Sequence, residues 1–135
     1  MANALYDLGR QGFLDGSISW SGDTIKAVLV DTGTYTVNLS THEFLSDIAS
    51  GARVATSGAL ASKTVTAGVA DAADVTFTAV SGSSAEAIVL YQDTGTVGTS
   101  RLIAYIDTAT GLPVTPNGGD ITVAFDSGSN KIFKL

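Results

Sequence analysis

The sequence predicts a mainly β domain, an antiparallel β-sandwich or barrel-like sheet, with helix confined to the chain ahead of residue 50. Three observations lead there. Beyond residue 50 the chain is a series of short segments rich in Val, Ile, Thr and aromatics, separated by Gly, Ser, Asp or Asn. Val75/Phe77 and Ile121/Val123/Phe125 alternate with other residues at the period of a half-buried strand. Helical spacing occurs in two early stretches only.

The first of these stretches spans residues 2–14. Ala2, Leu5, Leu8, Gly12 and Phe13 fall on one side of a helix there, with Asn3, Asp7, Arg10 and Gln11 opposite. Gly9 and Gly12 lie on or near the apolar side, which predicts a helix packed closely on a sheet. Asp15-Gly16 ends it. "SISW" and "TIKAVLVD" then read as strands joined by the turn Ser21-Gly22-Asp23. "LSTHEFLSDI" predicts a short helix near residues 41–48, with Ser40 and Glu43 as a capping box. Phe44, Leu45 and Ile48 would form its apolar side.

The strand segments that follow are "ARVATS", "ALASKTVT", "DVTFTAV", "EAIVLYQD", "RLIAYID", "DITVAFD" and "KIFKL". "AIVLY" and "LIAYI" are continuously apolar, as expected of central strands. Both prolines fall in the loop "TGLPVTPNGGD", where Asn117-Gly118 suits a tight turn. "KIFKL" alternates, and is expected to be a final strand, of its own subunit's sheet or of a neighbour's. Phe133 and Leu135 would point to one side of it and Ile132 to the other.

At 135 residues the chain makes one domain, residues 1–135, able to bury a core without staples. Only 15% of its residues are charged, against about 25% in ordinary soluble domains, so its surface is expected to meet other protein. A net charge of −6 argues against a nucleic-acid partner, whose phosphates need clustered Lys and Arg. With no cysteine there is no disulfide, thiolate chemistry or cysteine-held zinc. The start of the chain lacks a signal-peptide pattern, and no apolar run reaches the ~20 residues that span a membrane. Synthesis in a reducing cytoplasm and no membrane partner are expected, which makes the sequon Asn38-Leu39-Ser40 incidental.

Candidate chemistry begins at Asp31-Thr32-Gly33 and Asp93-Thr94-Gly95, each following an apolar strand as in aspartic proteases. Such an enzyme needs two aspartates sharing one proton. The two motifs are too close in sequence for a full lobe between them, although a dimer with one motif per chain would be long enough. The glycine preceded by two large aliphatics that underlies the catalytic loop of that family is missing. The competing reading is turn chemistry: Asp accepts hydrogen bonds from backbone two residues on, and Gly supplies a positive φ. Asp107-Thr108-Ala109-Thr110 ends a strand in the same style without the glycine. The turn is therefore the expected role.

Other constellations carry less. His42, the single histidine, lacks a Gly-x-Ser-x-Gly partner and is expected to be solvated beside Glu43. "DSGSNKIF" lacks the spacing of a phosphate loop, and no calcium-loop spacing occurs. Asp71 and Asp74 could share an ion only together with a partner's groups. Trp20, Tyr35, Tyr91 and Tyr105 could stack on a sugar or base, but aromatics at strand positions are more often core or interface. No catalytic, cofactor-binding or metal residue and no cofactor are expected.

Nearly the whole chain carries a resemblance that no single motif does. "MANALYDLGRQGFLDGSISW", "TIKAVLVDTGTYTVNLSTHEFLSDI", "GARVATS", "ADAADVTFTAV" and "RLIAYIDTATGLPVTPNGGDITVAFDSGSNKIFKL" look like a family of small virion structural proteins from tailed bacteriophages. The resemblance implies a capsid decoration (cement) protein on the virion surface, with the major capsid protein as partner. A neck or tail component bound to another virion protein is the alternative. The family also suggests a homo-oligomer, such as a trimer at local three-fold positions. It supplies no catalytic motif, and none of its binding residues transfers.

Overall fold

A computed structural model of the protein describes residues 4–125, 128 and 131–135. It is mainly β, with every ladder antiparallel. The central sheet has five strands: β1 (Ala4–Leu5), β2 (Ile25–Val30), β3 (Arg53–Thr56), β7 (Ala87–Gln92) and β8 (Leu102–Ile106). Their order is β1-β8-β7-β2-β3. A three-stranded sheet is formed by β4 (Thr64–Thr66), β5 (Val69–Asp71) and β10 (Phe133–Lys134), in the order β10-β5-β4. β6 (Val75–Phe77) pairs with β9 (Ile121–Val123). The central sheet ends in two edges at β1 and β3, so the architecture is sandwich-like and not a closed barrel.

The continuous apolar runs follow from the cover on both faces of the central sheet. From β7, Ile88 and Leu90 join Ile25, Leu29 and Ile103 in one core with Val75, Phe77, Ile121 and Val123 of the β6–β9 pair. Ala87, Val89 and Tyr91, one residue out of phase, join Val28 and Val30 in a second core under Tyr35, Leu45 and Ile48. A strand buried on both faces has no polar side to write into its sequence. In β6 and β9 the expected alternation holds, with Thr76 and Thr122 outward and their hydroxyls 3.1 Å apart.

Helix α1 covers Asp7–Leu14, shorter than residues 2–14. Ala4 and Leu5 pair instead with Tyr105 and Ala104 of β8, and residues 1–3 lie outside the described part. Leu5 enters one core and Tyr6 the other, an extended alternation that helical spacing cannot provide. Gly9 and Gly12 are buried, as the close-packing expectation requires. A Cβ on Gly9 would lie 2.5 Å from the Leu102 carbonyl oxygen.

Two expected elements are absent. "SISW" is not a strand, because Ser19 and Asp23 bind each other's backbone: Ser19 N–H donates to Asp23 Oδ2 at 2.8 Å, and Asp23 N–H to Ser19 C=O at 2.9 Å. Residues 41–48 are not an α-helix and hold only one 3₁₀ turn, Leu45–Asp47, followed by another at Ser50–Ala52. The N–H groups of Glu43 and Phe44 donate to Asp47 Oδ2, those of Ser40 and Thr41 to Asn38 Oδ1, and that of Leu45 to Ser100 C=O. The Ser40–Glu43 capping box does not form. The Glu43 carboxylate pairs with Arg101 at 3.2 Å instead.

"KIFKL" does supply a final strand, and it belongs to the chain's own sheet, with Phe133 opposite Ala70 and Lys134 opposite Val69. Ile132 is buried, and Phe133 packs edge-on against Trp20 with ring centroids 5.3 Å apart. Leu135, expected to share the side of Phe133 in the core, is 57% exposed.

Candidate functional site

The two Asp-Thr-Gly motifs are placed by strands that run in opposite directions. β2 pairs with β7 so that Val30 faces Ala87 and Ile25 faces Gln92. Asp31 follows Val30 and Asp93 follows Gln92, so the carboxylates stand at opposite ends of the sheet. Six-residue strands separate them by roughly 20 Å at ~3.3 Å per residue, and within one chain they share no proton.

Each carboxylate closes its own turn. Asp31 Oδ1 accepts the Gly33 N–H at 2.9 Å, its Oδ2 accepts the Thr34 hydroxyl, and its C=O accepts the Tyr35 N–H. Glu86 secures the same loop by accepting both the N–H and the hydroxyl of Thr32 at 3.0 Å. Asp93 Oδ1 accepts the Gly95 N–H at 3.1 Å, and its Oδ2 meets Lys26 Nζ at 3.0 Å. The Lys26 ammonium, with the Gly95 N–H, holds the Asp93 carboxyl below its usual range. What that pair contributes to stability is present above the unfolded carboxyl pKa of about 3.9, and is lost as pH falls through the lowered folded value.

Asp31→Asn and Asp93→Asn each keep a side-chain acceptor in the turn. Each should cost less than ~1 kcal/mol in chemical denaturation at neutral pH, the scale of one modest hydrogen bond. A larger loss at Asp31 would mean that its carboxylate does more than close a turn.

His42 is half-buried, not freely solvated, and ends a chain of three ring side chains. Tyr6 OH lies 2.9 Å from Tyr35 OH, and Tyr35 OH lies 2.7 Å from His42 Nδ1. His42 Nδ1 also accepts the Asn38 N–H at 3.3 Å. An Nδ1 that accepts places the ring proton on Nε2, so Tyr35 O–H donates to His42 and Tyr6 O–H donates to Tyr35. Burial pushes Tyr35 up to about 12 and raises Tyr6 further, where the Tyr35 hydrogen bond adds to the effect. Both phenols keep their protons at neutral pH. Tyr35→Phe should cost ~1–3 kcal/mol, because it strands the fully buried Tyr6 hydroxyl. Tyr6→Phe should cost only about 1 kcal/mol, since Tyr35 retains His42. Urea unfolding of the two variants tests the order.

The other singled-out side chains face inward. Trp20, Tyr35, Tyr91 and Tyr105 are all buried, so none offers a full ring face to a sugar or base. Trp20 Nε1–H donates to the Asp71 C=O at 3.1 Å, and Asp74 Oδ1 accepts the Phe125 N–H at 3.0 Å. Among the described residues, no group of three His, Cys, Asp or Glu side chains is arranged to hold a metal ion.

What remains at the surface is an apolar region that sequence reasoning missed. A groove of about 250 Å³ lies between the end of α1 and the three-stranded sheet, lined by Phe13, Trp20, Val65, Ala70, Phe133 and Leu135 among others. Val65 is 57% exposed, and Leu14, at the end of α1, is 87% exposed. The residues come from four separated parts of the chain, so no spacing announces the groove. The one available signal was Val65, an aliphatic residue between two threonines in a segment of little charge. Compared with known proteins, the chain matches no family model, and no curated protein matches it.

Proposed function

We propose that this protein is a structural component of a tailed-phage virion, a decoration protein that binds the major capsid protein and braces the expanded head. The observation that carries the reading is the sequence resemblance over nearly the full chain. The surface supports it: few charges, exposed Leu14, Val65 and Leu135, and Asp-Thr-Gly motifs used up in turns. On a shell that repeats one site many times, modest affinity per contact sums to large stabilisation through avidity.

A protein that binds expanded shells better than immature ones stabilises the expanded state by linkage. Particles lacking it should release DNA at a lower temperature, and added protein should restore them. Electron cryomicroscopy of intact particles places the chain on head, neck or tail. Density confined to the neck or tail, with unchanged particle stability, would assign the chain to those parts instead. Peptide cleavage at acid pH, abolished by Asp31→Asn, would replace the structural reading with a dimeric protease.

A further inference from the structure

β4 is the outer strand of the three-stranded sheet, and its neighbours determine which of its backbone groups face outward. Ile132 N–H donates to the Ala70 C=O at 3.1 Å, so Ala70 turns its polar groups toward β10. Val65 stands opposite Ala70. That pair is therefore not hydrogen-bonded across β4 and β5, and Val65 directs its own N–H and C=O away from the sheet. The connection agrees: Ala67 and Gly68 have φ of 50° and 81°, a two-residue hairpin turn whose closing pair, Thr66 and Val69, is hydrogen-bonded.

We propose that this edge pairs antiparallel with the same edge of a second copy, about a two-fold axis at Val65. One residue with an outward donor and an outward acceptor is complementary to itself, so the axis creates two reciprocal hydrogen bonds. Thr64 then faces the second copy's Thr66, a favourable cross-strand pair. Residues 64–69 carry no charge. Lys63, the nearest cation along the strand, is tied back to the Asp23 carbonyl and does not guard the edge. The two copies' Lys63 residues stand four positions apart along the strand, about 13 Å, beyond the ~8 Å screening length. Opposed side chains of a hydrogen-bonded pair lie on one side of the sheet, so the two Val65 side chains meet and the apolar grooves beside them join. The pairing deepens the assembly reading above and rests on it for its purpose, but it is read out on the purified chain alone.

The chain has no cysteine, so Val65→Cys supplies a single thiol. With oxidised glutathione as electron acceptor, the 65–65 disulfide should form at least ~10-fold faster than the 64–64 disulfide of Thr64→Cys. The latter pair is two positions out of register, about 8 Å apart and outside the ~4.4–6.8 Å Cα range of a disulfide. Val65→Pro removes the outward N–H without touching a hydrogen bond of the hairpin, so it should abolish concentration-dependent sedimentation and leave a folded monomer whose melting temperature no longer varies with protein concentration. Equal rates for the two cysteines would overturn the proposal. So would a purified chain that stays monomeric while Val65→Pro abolishes binding to particles, because the edge would then receive another protein's strand. A wild-type chain that self-pairs at Val65 but does not bind particles would refute the virion reading alone.

Discussion

Removal of residues 131–135 should leave a chain that is largely insoluble or melts far below the full protein. Two side chains carry that effect. Ile132 is buried in the core shared by the central sheet and the smaller ones, and Phe133 packs on Trp20 and on Phe13, with ring centroids 5.3 and 5.7 Å away. At ~1.5–3 kcal/mol for full burial, with Phe133 only partly covered, the loss comes to roughly 3–5 kcal/mol. That is a large share of the ~5–15 kcal/mol by which a domain is stable. The deletion also strips β5 of its β10 partner, including the bond from Ile132 N–H to Ala70. Leu135 adds little, since more than half of it meets solvent. Ile132→Ala and Phe133→Ala should therefore each reproduce part of the defect and Leu135→Ala almost none. Soluble yield and the thermal midpoint report the difference, and a truncated chain with an unchanged midpoint would show that β10 is dispensable.

Gly9→Ala is the second large effect, and its sign runs against helix propensity. In an exposed helix the change would stabilise by about 1 kcal/mol. Here the added Cβ would sit 2.5 Å from the Leu102 carbonyl oxygen and 3.1 Å from Ile103 Cα, both backbone atoms of β8. Neither can swing aside as a side chain does, so α1 must lift from the sheet. Overpacking of this kind costs ~1–3 kcal/mol, which outweighs the propensity gain. A denaturant midpoint lower than wild type is expected. Gly51→Ala makes the contrast, because no atom lies within 4 Å of a Cβ there.

Legibility followed the range of the interaction. The turn role of Asp31 and Asp93 was readable because donor and acceptor lie two residues apart, in a geometry that Asp and Gly favour wherever they occur together. The alternation of β6 and β9 was readable because each has one covered face. The helix expected at residues 41–48 failed for a reason written elsewhere in the chain. Ser100 and Arg101 engage that segment from across the fold, and Phe44 bridges to Arg101 in extended conformation. The Tyr6–Tyr35–His42 chain was unreadable for the same reason, since Tyr6 and Tyr35 are brought together by the sheet and not by spacing.

The sequence by itself determined the β class, the strand positions beyond residue 50 except β5, the turns at Asp31 and Asp93, and the need for glycine where α1 meets β8. These depend on side-chain period, on residues within a few positions of one another, and on the presence or absence of a Cβ. Tertiary structure alone decided that the central sheet is covered on both faces, that Asp31 and Asp93 stand at opposite ends of it, and that β4 is left at an edge. Those outcomes depend on which strand lies beside which. An isolated strand carries the same unpaired N–H and C=O groups on both sides, so only its neighbours decide which of them remain exposed.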